Sequence, residues 1–251
     1  MSSGIYVATA GAIAQSNALD ATANNIANAS TAGFRSDRMV FREALTAARS
    51  PDAASVSVGT SRIDSQAGAL TQSSNPLDLA LEGDGYFAVQ TANGPRYTRA
   101  GNFHLDDARR LVSADGLPVR ATIGTPIQQQ DLVKGAVVPG IEIPQGTAVI
   151  GIAADGTVSA DGNPVGKLEL VRFRSSQVKR EGGTLFSAKG KPELGNPPLV
   201  RTGMLEASNV NVVRGVVDLV KVSRTYESLM RVIQSYHDIE SRAARELGGP
   251  K

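Results

Sequence analysis

The residue types that most often carry out chemistry are scarce in this chain, which has two histidines and no cysteine. Because His104 and His237 lie in segments of different pattern, we expect them to be structural or surface residues rather than one metal site. The lack of cysteine excludes disulfides, thiolate nucleophiles and cysteine-ligated metals. It fits either an oxidising or a reducing compartment.

Two short runs resemble binding loops without completing them. Oxygen-bearing side chains alternate from Asp155 to Asp161 as in a calcium loop, but Gly156 comes early and Gly166 stands where a glutamate is needed. The run from Gly83 to Gly85 lacks the third glycine and the following helix of a dinucleotide loop. The first run is therefore predicted to be a turn, a strand and a second turn, and the second run a single turn.

No catalytic motif stands out elsewhere in the sequence. Neither G-x-S-x-G nor H-E-x-x-H is present, and no pair of carboxylates suggests acid and base roles. The sequence thus predicts no enzyme, no catalytic residue, no cofactor and no metal. A periplasmic hydrolase that uses Asp84 or His104 is the remotest of the alternatives.

Composition sets the class of protein. With 251 residues, 41% hydrophobic and 20% charged, the chain is long enough to bury a sizeable core. Lysine and arginine total 26 against 24 acidic residues, so nucleic-acid binding is not expected. No long apolar run predicts membrane insertion, and no signal peptide is evident, so we expect a mature chain that keeps its N-terminal segment.

The two ends of the chain have helical periodicity. From Ile5 to Ile26, apolar residues recur every three or four positions, but polar Gln15 and Thr22 interrupt this narrow face. The pattern near the C-terminus is stronger and predicts a helix from Val212 to Leu247. Its apolar seam consists of Leu219, Val222, Tyr226, Leu229, Ile233 and Tyr236.

Between the helices the pattern changes to short strands and turns. Alternating leucines precede an apolar run from Tyr86 to Val89, and Asn93-Gly94 is predicted to supply the two positive φ angles of a tight hairpin. Further Asp-Gly pairs mark later turns. The predicted fold is α+β, in which the N-terminal helix (1–34), an extended linker (35–61), a β-rich domain of hairpins (62–208) and the C-terminal helix (209–251) follow one another.

The asparagines that end the first helix raise a question, because asparagine is a poor residue for a helix interior. The two terminal helices could bury their apolar faces against each other within one chain, or against other subunits. The small alanines around Asn24, Asn25 and Asn28 permit close helix contacts. We therefore hypothesise that these side chains bond to partners supplied by other subunits and that the helices order only on assembly.

Four segments resemble one known family. NNIANASTAGFRSDR (Asn24–Arg38) resembles the N-terminal signature of bacterial flagellar rod and hook proteins, and EASNVNVV (Glu206–Val213) resembles their entry into the C-terminal helix. NPLDLALEGDGYFAV (Asn75–Val89), followed by RYTRAGNFHLD (Arg96–Asp106), resembles the β-domain motif of the longer members. The motifs cover both ends and the first part of the middle, in the expected order.

This resemblance implies a structural subunit that polymerises helically into the periplasmic rod of the flagellar basal body and transmits torque. The terminal helices would form an inner coiled-coil layer and the β domain an outer one. The expected partners are further copies, other flagellar axial proteins and the flagellar type III export apparatus, which exports such proteins without cleavage. The short connection Ser36–Gly59 favours a proximal over a distal rod subunit.

Thirteen residues are predicted to form the assembly interface. Gly33 is expected to end the first helix in a left-handed conformation, and Phe34 to anchor the segment that follows. Besides these two, the set comprises Asn24, Asn25, Asn28, Asn209, Asn211, Leu219, Val222, Tyr226, Leu229, Ile233 and Tyr236. The alternative from another class is a soluble binding module, which would form a closed dimer through its helices and recognise a ligand with its β domain.

Overall fold

The computed structural model describes residues 3–40, 60–122, 140–193, 195 and 197–247. The fold is α+β, with a helix at each end of the described chain and a β-rich middle, as the sequence predicts. The chain divides into two compact units. The helical unit comprises Met1–Ala27, Asp37–Asp64 and Asn211–Lys251, and the β unit comprises Asn28–Ser36 and Ser65–Val210.

Two long helices dominate the helical unit. Helix α1 spans Ser3–Ala27 and helix α2 spans Val212–Leu247, which confirms the predicted range of the C-terminal helix. At 1.5 Å per residue, the 36 residues of α2 extend for about 54 Å. Neither of these described helices is long and apolar enough to cross a membrane.

The two helices pack against each other through small residues of α1. A Cβ atom added to Gly11 would lie 3.4 Å from Leu229 Cδ1, and one added to Gly4 would lie 2.6 Å from Tyr236 Oη. The fully buried hydrophobic residues of α1 are all alanines: Ala8, Ala12, Ala14 and Ala18. The two helices thus approach each other closely but bury little apolar area per residue of α1, because alanine has the smallest apolar side chain.

One antiparallel strand pair completes the described part of the helical unit. Strand β1 (Asp37–Val40) pairs with β2 (Thr60–Ile63), and Asp37 lies opposite Ile63. These strands occupy both ends of the stretch predicted as an extended linker. Residues 41–59, which form most of that stretch, lie outside the described residues.

The β unit contains fourteen further strands in the residues that the structure describes. Those before residue 123 are β3 (Leu70–Gln72), β4 (Leu79–Glu82), β5 (Tyr86–Thr91), β6 (Gly94–Thr98), β7 (His104–Leu105) and β8 (Leu111–Val112). Those after residue 139 are β9 (Ile150–Ile152), β10 (Thr157–Ala160), β11 (Asn163–Lys167), β12 (Leu170–Val171), β13 (Val178–Gly182), β14 (Leu185–Ala188), β15 (Leu199–Thr202) and β16 (Met204–Glu206).

Local hairpins account for only some of the strand pairing. The largest described sheet has the order β12-β5-β6-β14-β13, and a second has the order β11-β10-β9. Strand β4 pairs with β15, and β3 pairs with β16. These long-range pairs, which the sequence analysis did not predict, join the two ends of the β unit.

The turns follow the predicted chemistry at one hairpin and depart from it at another. Asp161 (φ 49°) and Gly162 (φ 84°) both have positive φ angles in the two-residue loop between β10 and β11, as a type I′ turn requires. The predicted Asn93-Gly94 pair is wrong in detail, because Ala92 and Asn93 form the loop and only Gly94 has positive φ. This arrangement, a turn followed by a glycine of positive φ, also suits the twist of a hairpin.

A hydrophobic core lies inside the β unit. Phe87 and Phe103 pack edge to face in it, with ring centroids 5.1 Å apart and planes at 90°. Leu79, Leu111 and Leu168 are also fully buried there. This core gives rigid support to the loops and strand ends from which the candidate site is built.

Candidate assembly site

Asn25 bonds to the backbone of its own chain. Its Nδ2 donates to the carbonyl of Asp37 at 2.8 Å, and its Oδ1 accepts from the amide of Asp37, also at 2.8 Å. The side chain thereby holds the first residue of β1 beside the last turns of α1. Asn25 therefore has a partner within its own chain, and its expected contact with another subunit remains a prediction.

The other two asparagines of the signature lie in different surroundings. Asn24 is exposed near the end of α1, whereas Asn28 is half-buried in the turn that follows the helix. The Asn28 side chain accepts a hydrogen bond from the hydroxyl of Thr31 at 3.3 Å, and its carbonyl accepts from the amide of Thr31. This is the usual role of asparagine in a turn.

Gly33 has the left-handed conformation that the sequence predicts, with φ of +69°. It does not end the helix directly, since α1 stops at Ala27 and a turn intervenes. A Cβ atom at Gly33 would lie 2.2 Å from the backbone nitrogen of Ala100 and 2.3 Å from the carbonyl carbon of Arg99. Only glycine fits here, on grounds of both conformation and space.

Phe34 is buried in the β unit, with 1% of its surface exposed. The guanidinium of Arg180 lies 4.5 Å from its ring centroid, at cation-π distance. The Asn209 amide donates to the carbonyl of Phe34, and the Asn209 side chain accepts from Ser36 and donates to Gln66. Phe34 and Asn209 are therefore far apart in the sequence but hydrogen-bonded to each other in the structure.

Three charged residues that the sequence analysis did not single out form the centre of this region. Glu206, with only 1% of its side chain exposed, accepts from Arg35 at 2.6 Å and from Arg99 at 3.1 Å. It also accepts from the Gly68 amide at 3.0 Å, and its backbone carbonyl accepts from the Gly33 amide at 2.7 Å. We call Arg35, Arg99 and Glu206 the buried ionic cluster.

Besides its ion pairs, the cluster makes hydrogen bonds to backbone carbonyls. Arg99 Nη2 donates to the Gly83 carbonyl at 2.7 Å, while Arg35 donates to the Ser65 carbonyl. Burial lowers the pKa of Arg99, against the opposing effect of the Glu206 charge, and burial also raises the pKa of the neighbouring Tyr86. This network fixes the local backbone, because breaking its ion pairs would leave buried charges without partners, although Nε of Arg35 and Nε of Arg99 make no hydrogen bond.

Asn211 begins α2. Its Oδ1 accepts a hydrogen bond from the amide of Arg214 at 3.0 Å, and its carbonyl accepts from the amide of Gly215 at 2.9 Å. This is the geometry of a helix N-cap, in which a side-chain oxygen satisfies a free amide of the first turn. Asn211 therefore has a local role in the chain whatever else it contacts.

The predicted seam of α2 lies partly against α1 of the same chain. All six seam residues are half-buried: Leu219, Val222, Tyr226, Leu229, Ile233 and Tyr236. On a different face of α2 from the seam, a second apolar stripe is exposed: Val213 (77%), Val216 (47%), Val217 (49%) and Val220 (44%). On α1, Tyr6 and Ile13 are also exposed, at 65% and 52%. We call these six exposed residues the open apolar surface.

The structure thus divides the thirteen predicted residues into groups. Gly33, Phe34 and Asn209 lie together next to the buried ionic cluster, and the six seam residues line one helix. Asn25, Asn28 and Asn211 each serve a local hydrogen-bonded structure, whereas Asn24 is exposed near the end of α1. The only signal for the cluster in the sequence is that each of its three members lies in one of the quoted motifs. Two of these motifs contain other charged residues as well, so the pattern alone does not single out Arg35 or Arg99.

Comparison with known protein families gives three matches along the chain. Residues 5–35 match the family described as flagella basal body rod protein, and residues 201–246 match the flagellar basal body rod FlgEFG protein C-terminal family. Residues 80–160 match the flagellar hook protein FlgE/F/G D1 domain. Each matched segment contains one member of the buried ionic cluster.

Individual relatives match over nearly the whole chain. The flagellar basal-body rod protein FlgF of Escherichia coli (strain K12) is 35% identical over 97% of both chains. FlgF of Caulobacter vibrioides is 32% identical over 99% of both. The flagellar basal-body rod protein FlgG of Agrobacterium fabrum is 32% identical over 97% of this chain and 98% of its own.

Proposed function

This chain belongs to the family of flagellar basal-body rod proteins, and we propose that it polymerises helically through α1 and α2 to build a shaft that transmits torque. It is a structural subunit of the flagellar basal body rather than an enzyme. In the proposed assembly, α1 and α2 of adjacent copies, and of other axial proteins, form a coiled-coil layer. The flagellar type III apparatus exports the chain without cleavage.

The open apolar surface is the observation that carries this proposal. Val213, Val217 and Val220 are spaced by four and three residues, so they share one face of α2. A helix that already packs on α1 gains nothing within its chain from a second apolar stripe. Contact with another subunit would bury that stripe, with a gain of up to about 1.5–3 kcal/mol for each fully buried valine.

The proposal extends to the predicted interface residues. The half-buried seam from Leu219 to Tyr236 is accessible enough to meet a second helix while it packs on α1. Asn24 and the seam would then belong to the coiled-coil layer, whereas Gly33, Phe34 and Asn209 support it by fixing the segment that follows α1. The division of the chain into 1–34, 35–61, 62–208 and 209–251 remains part of this proposal.

A charge placed on the open apolar surface tests the assembly. Val217→Asp should leave the purified chain folded and greatly reduce its amount in isolated basal bodies, because a carboxylate would be buried between subunits. Ser241→Asp is the control, since it adds the same charge at an exposed position of α2 beyond both the stripe and the seam. If Val217→Asp enters basal bodies as well as the control does, the open apolar surface is not the contact.

Within the rod, we place this subunit in the proximal part. The short connection between the N-terminal signature and the β unit supports this choice, while relatives named FlgF and FlgG match over similar lengths. The protein content of basal bodies arrested before the distal rod forms would distinguish a proximal from a distal subunit. They should contain this chain if it is proximal, and they should lack it if it is a distal subunit.

A further inference from the structure

A cavity of about 300 Å³ opens beside the buried ionic cluster in the β unit. Four arginines line it, namely Arg35, Arg99, Arg172 and Arg174, together with Asp84 and the ring of Tyr86. So many guanidinium groups around one small space are unusual for a structural protein, because each must be desolvated or paired.

The charges around this cavity do not balance. Arg174 pairs with Glu193 at 2.8 Å, but Arg35 and Arg99 share the single carboxylate of Glu206. Within the described residues, no carboxylate lies within ion-pair distance of Arg172. Among the described residues, the four arginines that line the cavity have three carboxylates near them, those of Asp84, Glu193 and Glu206, which leaves an excess of one positive charge.

Three of the arginines around this cavity also have a buried hydrogen-bond donor without an acceptor. In the described part of the chain, the buried side-chain nitrogens without a hydrogen-bond partner are Nε of Arg35, Nε of Arg99 and Nε of Arg172. All three arginines line the cavity. These nitrogens are themselves covered by protein atoms, so they cannot bind a ligand in the cavity directly, but they add to the local excess of positive charge, which favours an anion there.

We propose that this cavity binds one carboxylate group, held chiefly by the guanidinium of Arg172. A single negative charge matches the excess, and a planar carboxylate matches the paired donors of a guanidinium. Asp84 on the cavity wall disfavours ligands of higher charge. The carboxylate comes either from a small organic acid in solution or from an acidic side chain of a second copy of this chain.

Propionate, which has the side chain of glutamate without its backbone, is the probe for this site. In an NMR titration of the full chain at constant ionic strength, the Nε–Hε signal of Arg172 should shift and saturate with propionate but not with chloride. Arg172→Gln should weaken propionate binding by about tenfold or more, because it removes a charge-assisted hydrogen bond. Arg201→Gln removes the same charge from an exposed pair with Glu82, outside the cavity, and should bind propionate like the unchanged chain.

The source of the carboxylate is determined from the Arg172 NMR signal of the protein without added propionate, recorded at several protein concentrations. A shift of the Arg172 signal toward its propionate-bound position as protein concentration rises identifies a side chain of a second copy. A signal that stays constant identifies a free acid. A linear, unsaturable response to propionate that chloride reproduces would overturn the site, and so would equal propionate affinity in a folded Arg172→Gln variant. Neither result bears on the rod function, because propionate binding is measured without assembly.

Discussion

The carboxylate of Glu206 forms a buried ion pair with Arg35, with 2.6 Å between Oε1 and Nη2. The side chains are 1% and 4% exposed, although the residues lie in motifs near opposite ends of the chain. The same carboxylate pairs with Arg99, which belongs to the β-domain motif. The three motifs by which the family is recognised in the sequence thus meet at one carboxylate.

Glu206→Gln should therefore destabilise the β unit strongly. The substitution leaves Arg35 and Arg99 buried without a counter-charge, and breaking a buried pair in this way costs about 3–5 kcal/mol. Urea denaturation followed by circular dichroism measures the loss. Glu82→Gln is the control, because Glu82 pairs with Arg201 at the surface and should contribute less than about 1 kcal/mol. Equal losses in the two variants would contradict a special role for the buried ionic cluster.

Gly33→Ala tests the close approach between the signature and Arg99–Ala100, the two residues after strand β6. Since the added Cβ would lie 2.2 Å from the Ala100 nitrogen, we expect a loss of more than about 4 kcal/mol in unfolding free energy, or no folding. Gly116→Ala is the matched control, with a similar φ of +74° and nothing within 4 Å of the added atom. It should cost only about 1–2 kcal/mol, the penalty for the left-handed conformation. A Gly33→Ala chain as stable as the control would show that the backbone there can shift.

Asn25→Ala should loosen the start of strand β1. The Asp37 amide loses the acceptor that Asn25 Oδ1 provides, so its hydrogen exchange should quicken by about fivefold or more, equivalent to about 1 kcal/mol. Asn17→Ala is the control, because Asn17 is exposed in the same helix. Unchanged exchange at Asp37 in the Asn25→Ala chain would mean that the side-chain bond does not hold the strand.

The two helices of the unassembled chain should exchange amide hydrogens faster than the β unit. In α1 only alanines are fully buried among the hydrophobic residues, which offsets little of the ordering cost of about 1–2 kcal/mol per residue. In dilute monomer we therefore expect fast exchange over Ile5–Ala27 and Leu219–Tyr236, and slow exchange over Leu79–Val112. Strong protection of both helices in a verified monomer would show that they are stable without other subunits.

Asp155 provides a test that depends on pH. The side-chain hydrogen bond from Lys167, followed by the bonds from Thr157, lowers the pKa of Asp155 from 3.8 to about 2. Because the folded-state pKa is depressed, the ion pair stabilises the fold above pH 3.8, and this contribution is lost as pH falls toward about 2.

Lys167→Met should raise the pKa of Asp155 toward 3.8, although not fully, because Thr157 still donates. A carbon-detected NMR titration of the carboxyl group gives the value. Lys191→Met removes the same charge at an exposed position and should leave the pKa of Asp155 unchanged. A pKa that also stays unchanged in Lys167→Met would exclude Lys167 as its main cause.

Local sequence pattern was enough to predict the helices and some turns. The range of α2 follows from the three-four spacing of its apolar residues and from the glycines after Leu247, and both signals act between neighbours in the chain. The positive φ of Gly33 was predictable because few other residues adopt that conformation. The prediction that Asn93-Gly94 forms the loop was wrong in detail, because this local signal indicates a hairpin but does not determine which residues occupy its loop.

The tertiary structure decided which distant residues meet. Nothing local to Arg35, Arg99 or Glu206 indicates that they share one site, since their pairing depends on the long-range strand pair β3–β16 and on the turn at Gly33. The partner of Asn25 likewise depends on how the chain returns after α1. Periodicity reports which face of an element is buried, whereas ion pairs between distant segments form only when packing brings those segments within a few ångströms.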